Sequence, residues 1–286
     1  MVHRDMRFRL LGTVEVWSGQ SVPLGGPKPR TVLAALLLNR DHAVPESTLI
    51  DLTWGEQPPA GARRQLQLYV SRLRKILGGA SVTRRGEGYE LSVGPEELDL
   101  NEFDAVTELA RADLAAGRLE RTVTRLRGAL KLWRGNPLHG TSRLLAEREG
   151  PALAERRLTA LEALFETELQ LGGHARVLAD LYRIAAEEPY REKFQAQLML
   201  ALHEGGRTEA ALRVHAEARR RLSTDLGIDP GRYIVEAHLR ILRGGDGPVT
   251  VAPWQWRRSP ALPHGLVDDA APVPMTPEPT TMLITK

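Results

Sequence analysis

The fold is decided by residues 54–91, WGEQPPAGARRQLQLYVSRLRKILGGASVTRRGEGYEL. Pro58 and Pro59 make the start of this stretch a loop, because proline lacks an amide hydrogen and its ring clashes with the preceding helical turn. The run Ala60–Leu77 has helical periodicity and stops at Gly78-Gly79, residues that suit a C-terminal cap. Placed at about 100° per residue, Leu66, Val70, Leu73 and Leu77 fall within about 60° of one another and define a face to be buried. The opposite face carries Arg64, Gln67, Leu68, Ser71 and Lys75. Arg63 and Arg74 flank it on one side, Gln65 and Arg72 on the other. SVTRRGEGYELSV then reads as two strands whose turn is made tight by Gly86 and Gly88, with Thr83, Arg84 and Arg85 beside it.

Upstream, FRLLGTVEVW alternates like one strand, and SGQSVPL follows as a turn and a second short strand. Thr31–Leu38 and Glu46–Leu52 are expected helices, the latter placed after Pro45. Strand, strand, three helices and a hairpin is the order of a winged helix, assigned to residues 1–98. From 99 to 245 the chain reads as all helical. The expected helices are Asn101–Ala116, Leu119–Trp133, Pro151–Leu171, Ala175–Glu188, Arg191–His203, Thr208–Leu226 and Gly231–Leu242. Glycine pairs at 172–173 and 205–206 lie 33 residues apart, near the period of about 34 of tetratricopeptide repeats, so this region reads as repeat-like. Residues 246–286 are proline-rich and aperiodic, and read as a disordered tail; Trp254 and Trp256 beside Arg257-Arg258 read as a terminus without function, with a small docking motif as the alternative. The fold class is therefore mainly α, a winged helix followed by a helical-repeat-like domain.

The chain carries +3 overall, yet residues 60–90 hold seven arginines and lysines against Glu87 and Glu90, more net positive charge than the whole molecule. A recognition helix needs such a division. One face packs on its own domain, while the other offers forked donors for guanine and amides for adenine, with phosphate-binding charges at the rims. Leu68 is apolar on the polar face, and a thymine methyl is a natural partner for it. A solvated amphipathic surface helix would also show this pattern. The adjoining hairpin tips the balance, since an arginine there can enter a narrow minor groove or clamp phosphates.

TWGEQPPAGARRQLQLYVSRLRKILG with VTRRGEGYEL resembles the winged helix of OmpR/PhoB-type regulators, and more closely that of the Streptomyces antibiotic regulatory protein family. The similarity continues through LDLNEFDAV, ALKLWRGNPL and HEGGRTEAALRVHAEARRRLSTDLGIDPG, which resemble that family's bacterial transcriptional activation domain, and spans roughly residues 7–243. It implies binding to direct repeats of double-stranded promoter DNA by a dimer or side-by-side pair, at genes of secondary-metabolite (antibiotic) biosynthesis. It also implies recruitment of RNA polymerase holoenzyme near its sigma factor. Carried over by position, the family's DNA contacts fall on Arg64, Leu68, Tyr69, Arg72, Arg74, Thr83 and Arg85. Arg63, Gln67, Ser71, Lys75 and Arg84 are added from the wheel and the hairpin. Arg64, Leu68 and Arg74 are expected to discriminate bases, and Glu87 to weaken or orient the contact of Arg85. The loop Trp54–Gly61 corresponds to the family's transactivation loop, placing Glu56, Gln57 and Pro58 toward polymerase, with Trp54 in the core. Thr53 stands where the family usually has leucine.

Other chemistries find no support. There is no cysteine, hence no disulfide or thiolate site. GGPKPRT lacks the GxxxxGK[ST] spacing of a phosphate loop, and no HExxH, GxSxG or EF-hand loop is present. His174, His203, His215 and His238 are expected to pack or face solvent rather than bind metal. Glu147, Arg148, Glu149, Glu155, Arg156 and Arg157 are expected to form solvated pairs along one helix. No catalytic residue, cofactor or metal is expected, and no stretch reads as a signal peptide or membrane span. The expectation is a cytoplasmic, nucleoid-associated activator. A helical adaptor whose winged helix binds protein, or a repressor with the same DNA contacts, are the alternatives.

Overall fold

The computed structural model describes residues 6–78 and 82–244. Gly79, Ser81 and the proline-rich tail with Trp254 and Trp256 lie outside the described residues. The chain begins with an antiparallel sheet, β1 Arg7–Arg9, β2 Glu15–Trp17 and β3 Ser21–Val22, in that spatial order. FRLLGTVEVW is thus two strands, not one. The chain reverses between them around Gly12 (φ +149), a conformation that favours glycine. The intervening Leu10 and Leu11 are fully buried.

Helix α1 (Pro27–Leu38) starts a turn earlier than expected and is buried along most of its length. Pro27 and Pro29 are accommodated because the first amides of a helix have no intrahelical acceptor. Strand β4 (Val44–Pro45) and helix α2 (Glu46–Trp54) follow, then α3 (Ala62–Leu77). Ala60 and Gly61 belong to the entering turn, in which the Ala62 amide donates to the Pro59 carbonyl at 2.8 Å. Strands β5 (Val82–Arg85) and β6 (Gly88–Leu91) form the hairpin, and β4 pairs with β6 to give a second sheet ordered β4-β6-β5. This is a winged helix, with α1 as its central helix. Thr53, the departure noted above, is buried and satisfied, its hydroxyl donating to the Leu49 carbonyl at 2.6 Å.

The second half is helical throughout: α4 Asp99–Ala115, α5 Leu119–Leu130, α6 Arg143–Gln170, α7 His174–Glu187, α8 Glu192–Glu204, α9 Thr208–Arg221 and α10 Arg232–Leu242. Sequence neighbours pack side by side, and α10 returns onto α8. Most bounds shift by one to three residues from expectation, and two shift further. Helix α6 starts far upstream of Pro151 because Ser142 caps it, its Oγ accepting from the Leu145 amide. Pro151 then sits inside the helix and withholds one amide from the ladder. The end of the expected Thr208–Leu226 helix is a π turn, Leu222–Leu226, closed by Gly227 at φ +68.

Several charged residues in the helical half are tertiary cross-links. Arg156, nearly buried, binds Asp104 of α4 at 2.7 Å, and Glu155 binds Arg191 at 2.6 Å. The expectation of solvated pairs along α6 therefore fails for these two, because they face neighbouring helices. Buried Glu168 accepts from both Arg127 of α5 and Arg176 of α7. The His215 and His238 rings stack at 3.8 Å between α9 and α10.

The two halves are welded rather than strung together. Asp99, at the first turn of α4, is buried and accepts from the Leu10 amide at 2.8 Å, the Leu11 amide at 3.2 Å and Arg134 at 2.6 Å. The amides of Arg134 and Leu138 in turn donate to Leu11 and Leu10 carbonyls at 2.8 and 3.0 Å. On the other side, the Ser142 hydroxyl donates to the Leu52 carbonyl of α2 at 2.6 Å, and its amide to the Thr31 hydroxyl of α1 at 2.7 Å. Hydrogen bonds to a charged group stabilise by about 1.5–3 kcal/mol each. Asp99→Ala should therefore destabilise the protein by at least about 3 kcal/mol in urea unfolding. Arg134→Ala should cost clearly less, since Asp99 keeps its two amide donors.

Candidate nucleic-acid interface

Helix α3 is held by the stripe read from the sequence. Ala62, Leu66, Val70, Leu73 and Leu77 are buried against the winged-helix core. That burial turns Arg64, Gln67, Leu68, Ser71, Arg72 and Lys75 outward, and all six are exposed. Leu68 is 62% exposed, the largest apolar exposure on this helix. Arg64 and Lys75 have no hydrogen-bond or ion-pair partner among the described residues. The outer face is thus a set of unengaged donors around one apolar side chain.

The flanks of the helix are engaged. Tyr69 is half-buried and stacks on Trp54, with ring centroids 6.0 Å apart and planes 18° from parallel, while Lys28 of α1 lies 5.2 Å from the Trp54 ring. This gives Tyr69 a packing task between α2 and α3. Arg74 is also half-buried. Its Nε donates to the Val82 carbonyl at 2.9 Å, and its guanidinium lies 5.8 Å from the Tyr89 ring centroid. Arg74, expected among the base-discriminating residues, ties the helix to the first strand of the wing.

The wing is built by register. Arg84 lies opposite Tyr89 and Arg85 opposite Gly88, around the turn Gly86-Glu87, where Gly86 adopts φ +52. Arg84 and Arg85 are exposed, and Thr83 is half-buried opposite Glu90. Arg85 pairs with Glu90 at 3.5 Å rather than with its near neighbour Glu87, because alternation puts 85 and 90 on one face of the ribbon as diagonal neighbours. Glu87 instead offers its carbonyl to the Glu46 amide at 3.0 Å, fixing the turn to the start of α2. Gly88 is required by packing: a Cβ there would lie 2.1 Å from the Val44 carbonyl oxygen.

Sequence reasoning missed Glu46. It is the first residue of α2, where a carboxylate is favoured by the helix dipole, and that position was its only sequence signal. Its carboxylate is buried and collects three partners from three other elements. Arg63 Nε of α3 donates at 2.7 Å, the Tyr89 hydroxyl of β6 donates at 3.1 Å, and Arg84 of β5 lies at 3.6 Å. Burial and the Glu46 carboxylate together push the Tyr89 phenol above its usual range.

The loop between α2 and α3 presents Glu56, Gln57, Pro58, Pro59 and Ala60 to solvent, next to the N-terminal end of α3. No helix among the described residues is long and apolar enough to cross a membrane.

Comparison with known proteins fits this architecture. Residues 19–91 match the family model "Transcriptional regulatory protein, C terminal", and residues 98–242 match "Bacterial transcriptional activator domain". The regulatory protein DnrI of Streptomyces peucetius is 36% identical over 257 residues, covering 85% of this chain and 94% of DnrI. The chain belongs to the Streptomyces antibiotic regulatory protein family. Within that family, the regulatory protein AfsR of Streptomyces coelicolor is 37% identical over 83% of this chain, which spans 24% of AfsR. The transcriptional regulatory protein EmbR of Mycobacterium tuberculosis is 38% identical over 85% of this chain and 64% of EmbR. The solved structure of EmbR in complex with a low-affinity phosphopeptide superposes with a TM-score of 0.79 at 37% identity, covering 84% of this chain and 65% of that one. The chain spans less than two thirds of AfsR and EmbR, and all three relatives are named as regulatory proteins.

The glycines of the wing give a direct check on its geometry. Gly88→Ala forces β4 and β6 apart and should lower stability by about 1–3 kcal/mol, the usual cost of overpacking. Gly86→Ala meets no neighbour and pays only the left-handed strain of about 1–2 kcal/mol. Hydrogen exchange should show faster exchange of the β6 amides in the Gly88 variant than in the Gly86 variant.

Proposed function

We propose that this regulator binds promoter DNA sequence-specifically, with α3 in the major groove and the β5–β6 wing against the backbone or minor groove. It then activates transcription by contacting RNA polymerase holoenzyme, including its sigma factor, through the loop at Glu56, Gln57 and Pro58. The observation that carries this reading is the outer face of α3. Its donors are unpartnered and surround Leu68, 62% exposed, an arrangement complementary to base edges and a thymine methyl.

In this reading Arg64, Gln67, Leu68, Ser71 and Lys75 meet bases, with Arg72 at the rim. Arg63, Arg84 and Arg85 meet phosphates, and Thr83 supports the wing contact. Arg74 and Tyr69 act one step back, holding the wing and α2 against α3. Two copies side by side on direct repeats, spaced by about one helical turn of 10–11 bp, would place both helices on one face of the duplex. The family resemblance supports target genes in secondary-metabolite biosynthesis.

Fluorescence anisotropy on DNA from the gene's own neighbourhood tests the first half. Arg64→Ala should reduce discrimination against a mutated site by about 1–3 kcal/mol. Arg85→Ala should weaken binding to all sequences and reduce the salt slope by about 1. Wild-type behaviour of both variants would refute the assignment, and a chain with no salt-dependent DNA binding would be an adaptor instead. For the second half, Glu56→Ala with Gln57→Ala should bind the site normally but lose run-off transcription by purified holoenzyme. Undiminished transcription would remove the loop from the mechanism.

A further inference from the structure

Glu46 bonds to the recognition helix and the wing at once, which bears on DNA binding as proposed above. Its carboxylate is 8% exposed, whereas the side chains of Arg63 and Arg84 are 68% and 51% exposed. The carboxylate therefore sits behind two guanidinium groups whose other faces look outward. Arg63 is gripped through Nε at 2.7 Å, a bond that does not use the N–H donors of its two terminal nitrogens. The Tyr89 hydroxyl, at 3.1 Å, anchors the same carboxylate in the wing. The Glu46 amide, donating to the Glu87 carbonyl at 3.0 Å, anchors its backbone to the wing turn. Any movement of the wing relative to α3 must stretch a charge-assisted hydrogen bond in a half-buried setting.

Two consequences follow from elementary electrostatics. First, Arg63 and Arg84 are held at a set separation. In the reading above, this shared tether limits where both can meet phosphates while the outer face of α3 meets the bases. Second, one buried negative charge offsets part of the attraction these two arginines exert on any polyanion. At about 7 Å in a water-like medium one such charge contributes about 0.6 kcal/mol, or roughly a threefold change in affinity. Both effects act against binding in the wrong register or on the wrong sequence.

We propose that Glu46 is a specificity-determining positioning residue: it fixes the spacing of the two flanking phosphate-binding arginines and restrains their non-specific attraction to DNA. A purely architectural role would weaken specific and non-specific binding together and leave the salt dependence alone. The proposed role moves the two in opposite directions.

The test is a salt titration of the full chain on a specific site and on a scrambled duplex, with wild type, Glu46→Gln and Glu46→Asp. Glu46→Gln keeps an acceptor for Tyr89 and removes the charge. It should bind the scrambled duplex about threefold more tightly at low salt, with a slope steeper by up to about 1, and show a reduced ratio of specific to non-specific affinity. Glu46→Asp keeps the charge but cannot span to both arginines. It should keep the wild-type slope and lose discrimination, so the inference stays testable if the glutamine variant does not fold. Unchanged discrimination in both variants, with a wild type that does discriminate, would overturn the role of Glu46 alone. A wild type that binds neither duplex would overturn the DNA-binding reading and this inference with it.

Discussion

The rotation of α3 about its own axis is the constraint on which the rest of this structure depends. Leu66, Val70, Leu73 and Leu77 are all within a few per cent of complete burial, and each removes a large apolar surface from water. Turning the helix by one residue position would bring charged side chains against that core and push these apolar side chains toward solvent. No rearrangement of the surface could compensate for that. With the rotation set, the residues that face outward are set as well. Their chemistry then reads as that of a groove-facing helix, without any need for a preformed pocket.

Rotation alone does not place a wing beside a helix. Three contacts do: Arg74 to the Val82 carbonyl, Glu46 to Arg63 and Tyr89, and the Gly88 backbone against Val44. They differ in kind, being a side chain on a carbonyl, a buried carboxylate shared by two elements, and a backbone approach that excludes any side chain. The helical half is attached by the same logic. Asp99 receives backbone amides from the connection between β1 and β2, and Ser142 caps α6 while donating to α2. These bonds hold the helical domain against the winged helix that carries the outer face of α3.

Much of this was legible in the sequence, and the part that was not shares one property. The α3 stripe, its outward face, the hairpin and the succession of helices all depend on local periodicity, and periodicity is visible in one dimension. The early start of α6 was hidden because Pro151 reads as a helix boundary, although Ser142 upstream is a strong cap. FRLLGTVEVW read as one strand because alternation continues across Gly12, whose reversal depends on Asp99 far along the chain. Glu46, the diagonal pairing of Arg85 with Glu90, and the engagement of Arg74 and Tyr69 are relations between elements. Each of these side chains looked exposed or unremarkable until the element it meets was in place.

The central claim is that the outer face of α3 lies in the major groove. Dimethyl sulfate methylates guanine N7, an atom on the major-groove edge, and so reports this directly. On DNA from the gene's own neighbourhood, the chain should protect guanine N7 in two clusters on one face of the duplex, about one helical turn apart. Bound DNA whose guanine N7 atoms react as in free DNA would contradict the account.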